Sequence, residues 1–514
     1  MAELTKIDSN VTGLRYAEEA SLGVLPVTPV WYPLEPNSYN DFGGEITTVA
    51  RNPINPSRQQ KKGVVTDLDA SGGFETDVTQ TNLQDLLQGF FFADLRRKEE
   101  YGGGGEISAV ATSDDSYAGT DIEDNMQVGD LVLATGFTDT TNNGLKTVAG
   151  VTGPNKITVS ENLADETPGA TAKLVVVGHQ FVADDLNVVA GATYPTITSD
   201  AAFDFTTLGL IPGEWIFVGG DTSATQFATA GNNGFKRVRS VTATAITLDK
   251  GVAMTSESLS GGETVQIFFG RVLKNEAVRA DQVRRSYNLE RTLGAPDDAE
   301  PAEEQAEYLE GQVASELTLN IPTAEKVTTS LAFMGLDNTQ IDGPTALKTG
   351  TRPALVEADA FNTSSDIPRI KMSVHSTTDE APDPLFAFMQ ELTLTINNSL
   401  TINKAVGVLG GFEVTAGTFV VSGEITAYFA NVAAVQAVRN NSDVTLDVHF
   451  AKANAGISID VPLVALGNGR LEVAQDEPIT LPLSLNAATG AKLDTSLDHT
   501  LLMVFYDYLP DAAG

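Results

Sequence analysis

The chain predicts a mainly β fold: an antiparallel β-sandwich or barrel with one flanking α-helix, interrupted by a pair of small all-β modules in tandem. Three observations carry that expectation. Val, Ile and Thr recur in short runs between Gly, Asn, Asp and Pro clusters, which favours strands over helices. The C-terminal part alternates apolar and polar residues, as strands buried on one face do. One passage also occurs twice.

Gly129-Asp130-Leu131-Val132 leads to Asn142-Asn143-Gly144-Leu145-Lys146-Thr147-Val148 and then to Lys156-Ile157-Thr158-Val159. Gly213-Glu214-Trp215-Ile216 leads to Asn232-Asn233-Gly234-Phe235-Lys236-Arg237-Val238 and then to Ala245-Ile246-Thr247-Leu248. The offset is roughly ninety residues, so this is a duplicated module rather than a solenoid. Each copy reads as short strands around an Asn-Gly turn, the pair that best tolerates the positive φ of a tight hairpin. Removing both copies leaves two outer segments of one larger β domain. The expected organisation is residues 1–102 and 273–514 as the outer domain, with modules at 103–190 and 191–272.

Along the chain, 1–45 reads as an irregular arm carrying Pro26, Pro29, Pro33 and Pro36, either disordered or lying on a neighbour. Arg51 to Lys62 is the most basic short stretch and reads as an exposed loop suited to an acidic surface. Residues 64–79 read as strand. A helix follows over 82–95, with Leu83, Leu86, Leu87, Phe90, Phe91 and Leu95 on one face. Thr81 is placed to cap its start, and Arg96, Arg97 and Lys98 suit the dipole at its end. Gly102 to Gly105 is a hinge into the modules. Tyr287 to Arg291 reads as strand, and the acidic run Asp297 to Glu304 as a solvated loop.

The alternation is clearest in the last part. Leu317, Leu319 and Ile321 face one way, and Glu316, Thr318 and Asn320 the other. Glu391, Thr393, Thr395 and Asn397 form a second polar face, Glu424 and Thr426 a third, and Asp447 and His449 a fourth.

Acids outnumber bases 68 to 32, a formal charge of −36, so this chain repels polyanions and lacks the clustered cations that hold nucleic acid. The absence of cysteine excludes disulfides, thiolate catalysis and Cys-built zinc sites. The N-terminus lacks the apolar core of a signal peptide, and no stretch approaches the ~20 apolar residues that span a bilayer. Synthesis and initial residence in a cytoplasm are expected.

Chemistry is sparse. His179, His375, His449 and His499 are the only histidines, and none has metal-ligand spacing. No nucleophile elbow or phosphate-binding loop occurs. His449 reads as an exposed histidine. Asp114, Asp115, Asp121, Glu123 and Asp124 could ligate calcium, but the cluster lacks the spacing of a calcium loop. Adjacent acids such as Asp297 and Asp298 are expected by chance here. No cofactor and no enzyme activity are expected.

Several passages together resemble the major tail tube protein of long-tailed bacteriophages of the siphophage type. They are Glu18 to Pro26; Gly73-Phe74-Glu75-Thr76 through Leu95; Tyr287 to Arg291 with Tyr308 to Gly311; Leu331 to Gly335; Leu392 to Asn398; and Gly417 to Phe429. The resemblance covers about 1–100 and 275–514. It implies a β-sandwich flanked by a helix, joined six to a ring around a continuous inner barrel. Rings would stack into a hollow tube that holds a tape-measure protein and later conducts double-stranded DNA. A tail terminator and a distal tail protein would be further partners, with assembly in the host cytoplasm and no membrane insertion.

Ring closure hides sheet edges, and head-to-tail stacking makes open-ended filaments. On this reading Glu316, Glu391 and Glu424 are candidates to line the bore as anionic rings along which DNA slides. The arm and the 41–63 loop are the candidates to reach an adjacent ring, through Leu25, Pro26, Arg51, Arg58, Lys61 and Lys62. The modules would decorate the exterior, with the host surface as a candidate partner, and their bulk favours a non-contractile tail. An extracellular surface-layer or adhesin-like β protein and a carbohydrate-active β enzyme are the alternatives.

Overall fold

A computed structural model describes all residues except 1–6, 8, 10–11, 55, 57–58, 103–105, 123–124, 154, 192–193, 252, 295–303 and 377–381. Most of the glycine hinge and of the acidic run therefore lies outside the described residues. The fold is mainly β with antiparallel sheets, as expected. The chain forms two compact units. One comprises Met1–Ala93, Val278–Thr363 and Gln390–Ile425; the other comprises Asp94–Ala277, Ser364–Met389 and Thr426–Gly514.

The first unit is organised by one long strand, Gln305–Ile321. Its first half pairs with Tyr287–Gly294 and Asp337–Asp342, and its second half with Thr328–Met334 and Met389–Asn397. The change of partners falls around Gly311, whose φ of 66° a side chain rarely adopts. Buried Glu19 fixes this corner, accepting the Gly311 N–H at 2.9 Å and the Gly23 N–H at 2.7 Å. The predicted alternation is realised. Leu317, Leu319, Ile321, Leu392, Leu394 and Ile396 are buried, while Glu316, Thr318, Asn320, Glu391, Thr393 and Thr395 keep contact with water.

The N-terminal segment is not an irregular arm. Gly13–Glu18 pairs with both Tyr32–Leu34 and Tyr287–Gly294, and Trp31 is fully buried beside Tyr308. Prolines obscure this order in sequence, because the strands are short and lie between turns. The expected 41–63 loop is likewise mostly strand. Pro36–Arg51 and Lys61–Asp77 form a long antiparallel hairpin, and the latter strand continues into the sheet through Thr328–Met334.

The helix is shorter than its pattern suggests, spanning Gln84–Phe91. Thr81 does not cap it. Asn82 and Thr79 instead exchange side-chain to backbone bonds, each 3.2 Å, ahead of the first turn. Phe92 adopts a left-handed conformation and ends the helix, so Arg96, Arg97 and Lys98 lie beyond the reach of its dipole. Phe90 meets Phe333 edge-on at 5.3 Å, and the predicted apolar stripe packs on the sheet.

In the second unit the two modules form a continuous antiparallel sheet. The last strand of each module, Lys173–Phe181 and Val265–Phe268, meets its counterpart antiparallel at the centre. Two equivalent strands paired in this way relate the modules by a local two-fold axis. A second sheet of this unit contains Arg271–Lys274, Leu502–Tyr506, Ala455–Asn468, Thr480–Ala488, Val444–Lys452 and Arg369–Val374. Trp215, Phe217, Phe235 and Phe268 of the modules share one core with Leu502, Val504, Tyr506 and Leu509.

That shared core makes module and C-terminal segment one cooperative structure. Trp215→Ala should cost about 3–5 kcal/mol. Hydrogen exchange should then show protection falling together in 215–268 and 444–506; a loss confined to the module would contradict a common core.

Candidate assembly surfaces and the duplicated asparagine clasp

The three candidate bore residues lie on the wet faces of their strands. Asn397 donates to Glu316 at 2.6 Å, and the hydroxyls of Thr318 and Thr395 meet across the strands at 3.1 Å. The Glu316 side chain is therefore on the same face as Thr395 and Asn397, and so as Glu391 in the same strand. Glu391 and Glu424 are exposed, and Glu316 is half-buried. Such a face offers carboxylates and hydroxyls, no apolar pocket and no convergent acid–base pair.

The hairpin offers the opposite chemistry. Its base is anchored by buried Phe42, Leu68 and Ala70, but its outer half is wet on both faces. Ile46, Val49, Val64 and Val65 are each more than half exposed. Arg51 and Lys61 sit opposite each other in the register, and Lys62 follows; all three are exposed. Arg58 lies outside the described residues. Leu25 and Pro26 are half-buried, with Leu25 packed against the cluster of Ala17, Trp31 and Tyr308.

The duplicated Asn-Asn-Gly passage does not form a hairpin turn. Asn142 and Asn232 are fully buried, and Asn143 and Asn233 have extended backbones. In each copy the first Asn clasps a distant loop. Asn142 accepts from the Ala164 N–H at 2.8 Å and donates to the Ala164 carbonyl at 3.0 Å. Asn232 does the same with Thr255, at 2.9 Å both ways. The second Asn closes on its own loop: Asn143 exchanges bonds with Phe137, and Asn233 with Phe227.

Glu166 and Glu257 complete the clasp. Each accepts two backbone N–H groups and the first Asn's amide. Sequence reading missed both, although they recur at an offset within one residue of that of the asparagines. Burial works to raise their pKa values, but the N–H bonds outweigh it and hold both below the usual carboxylate range. Buried amides that satisfy otherwise orphaned loop backbone have a structural role.

His449 is not exposed but fully buried, stacked on Phe235 at 4.2 Å. Its Nδ1 lies 2.6 Å from Ser458 Oγ, and Asp447 is 3.3 Å from its Nε2. Burial pushes its pKa down, although Asp447 pulls the other way. The alternation placed it correctly on the face of Asp447, but the module packs over that face. In the calcium candidate, Asp114 is bonded to Lys156 and Ser116, and Asp115 accepts the Leu163 N–H. Glu123 and Asp124 lie outside the described residues, and among those described no cluster of acids and histidines is arranged for a metal. No described helix is long and apolar enough to cross a membrane.

The clasp carboxylates contribute stability that is present above the unfolded-state pKa of about 4.3 and lost as pH falls through their lower folded values. Glu166→Gln with Glu257→Gln should therefore flatten the acid limb of the second unit's melting curve, measured from about pH 3 to pH 7. An acid limb as steep as the wild type's would contradict this role.

The model of the family described as phage tail tube protein matches residues 9–487. No curated protein matches the chain. Among solved structures, the phage phi92 endosialidase aligns over 77% of this chain and 69% of its own at 10% identity, with a TM-score of 0.14. That likeness carries no weight for fold or function. A family match running through both outer segments and both modules, on a mainly β scaffold, is decisive: the chain belongs to the phage tail tube protein family, a structural component of the phage tail.

Proposed function

We propose that copies of this chain join into hexameric rings and that the rings stack into the hollow tube of a non-contractile tail. The observation that carries this reading is the hairpin. A two-stranded ribbon is marginal by itself in water, and one exposing Ile46, Val49, Val64 and Val65 on its outer half calls for a surface to cover it. Its Arg51, Lys61 and Lys62 suit an acidic partner, and a second copy of this chain, at −36, is one. The hairpin therefore seats on the adjacent ring, with the Leu25–Pro26 turn as a second contact.

The wet face of Gln305–Ile321, Met389–Asn397 and Val420–Tyr428 lines the bore, where Glu316, Glu391 and Glu424 repel passing DNA. Screening limits that repulsion to about 8 Å at physiological salt. The carboxylates thus prevent sticking at close approach rather than centring the duplex. Thr318, Thr393 and Thr395 add a hydroxylated wall without cations. The inserted modules face outward, because their bulk on the inner side would block passage. The tape-measure protein occupies the bore before ejection, and terminator and distal tail proteins close the two ends.

Two variants test the reading. Val49→Asp with Val65→Asp should leave folded subunits but no long tubes by negative-stain microscopy; tubes of normal length would overturn the stacking role. Glu391→Lys should leave tubes intact and slow genome ejection, and ejection at the wild-type rate would remove Glu391 from the bore.

A further inference from the structure

The duplication supplies an internal control for one buried cluster. In the first module Lys146 is buried and donates to the Thr141 carbonyl at 2.8 Å; in the second, Lys236 is buried and donates to the Gly231 carbonyl at 2.7 Å. The two lysines are equivalent, but the charges around them are not. The Ser160 N–H bonds to the Thr147 carbonyl and the Asp249 N–H to the Arg237 carbonyl, which makes the following residues, Glu161 and Lys250, equivalent too. Glu161 offsets the charge of Lys146. In the second module a lysine stands at that position.

Further cations approach from Arg369–Val374. A cavity of about 20 Å³ is lined by Lys236, Arg237, Lys250, Arg369 and Lys371, against the carboxylates of Asp249 and Asp447. Arg237 is matched by Asp249 and Asp460, and Arg369 by two bonds to Asp447 at 2.6 and 3.1 Å. Lys236 and Lys371 each donate to a backbone carbonyl instead. Lys371 also feels Asp447 and the exposed Asp383, but burial and Arg369 still lower its pKa. Burial, then Arg369, pushes the Lys236 ammonium down to about 8. Lys236 is buried and Lys371 half-buried, and each bonds to a carbonyl dipole rather than directly to a carboxylate; such a placement is costly for a cation, and a counter-ion reduces that cost.

We propose that this cavity binds one monovalent, single-atom anion of the halide class, held by Lys236, Lys371 and the Arg369 guanidinium. The volume admits one water-sized particle and excludes phosphate or sulfate. Chloride would then tie the second module to the strand Arg369–Val374, and the first module, with Glu161 in place, has no such site.

The full chain should melt about 2–4 °C higher in sodium chloride than in sodium gluconate of the same ionic strength. Lys371→Met should abolish that difference, whereas Lys146→Met in the first module should preserve it. A crystal soaked in sodium bromide should show an anomalous peak within bonding distance of the Lys236 and Lys371 ammonium groups. Equal melting in both salts together with no bromide peak in the cavity would overturn the proposal. So would a chloride effect that survives Lys371→Met.

Discussion

The first unit depends on the two-residue period of one strand. Gln305–Ile321 joins four partners; its first half is buried on both faces, and from Glu316 to Ile321 each side chain goes to the core or to water by its parity. A slip of one residue would carry Glu316 and Asn320 into the core and expel Leu317 and Leu319. Gly311 lies where the strand changes partners, a register shift between Ala314 and Glu316 precedes the alternating stretch, and Glu19 holds the corner by accepting the Gly311 and Gly23 N–H groups. The wet face is therefore a consequence of the core, and the proposed bore inherits its position from residues that never touch it.

The second unit is held by a different means. Each module closes its long loops with a buried asparagine and a carboxylate, beside an apolar cluster that includes Phe137, Leu163, Phe227 and Met254. Such polar clasps are costly when half-made and rigid when complete. Trp215, Arg237, Asp460 and His499 extend this logic to the C-terminal segment: Asp460 accepts from Trp215 at 3.0 Å and Arg237 at 2.9 Å, and lies 3.0 Å from His499. The two copies thus share a common core with the C-terminal segment. Deleting them would expose Leu502, Val504 and Tyr506.

Much of this was legible in sequence, for local reasons. Half-wet strands announce themselves by alternation, the helix by its stripe, and the modules by self-similarity. The outer hairpin was not legible, because a ribbon wet on both faces has no alternation to read. The Asn-Gly pair misled because its local preference for a hairpin lost to buried contacts more than twenty residues away. Glu166 and Glu257 were missed for the same reason, since their partners are backbone groups that only the fold brings near. His449 was placed on the right face but given the wrong environment, because a segment about two hundred residues earlier covers it.

Cryo-electron microscopy of tubes assembled from this chain decides whether these strands form the bore. A hollow tube with six subunits per ring is expected. Glu316, Glu391 and Glu424 should project into the bore, and the outer half of the 36–77 hairpin should lie on the next ring. A tube whose inner wall is built from other strands, or an assembly in which the hairpin stays in solvent, would contradict it.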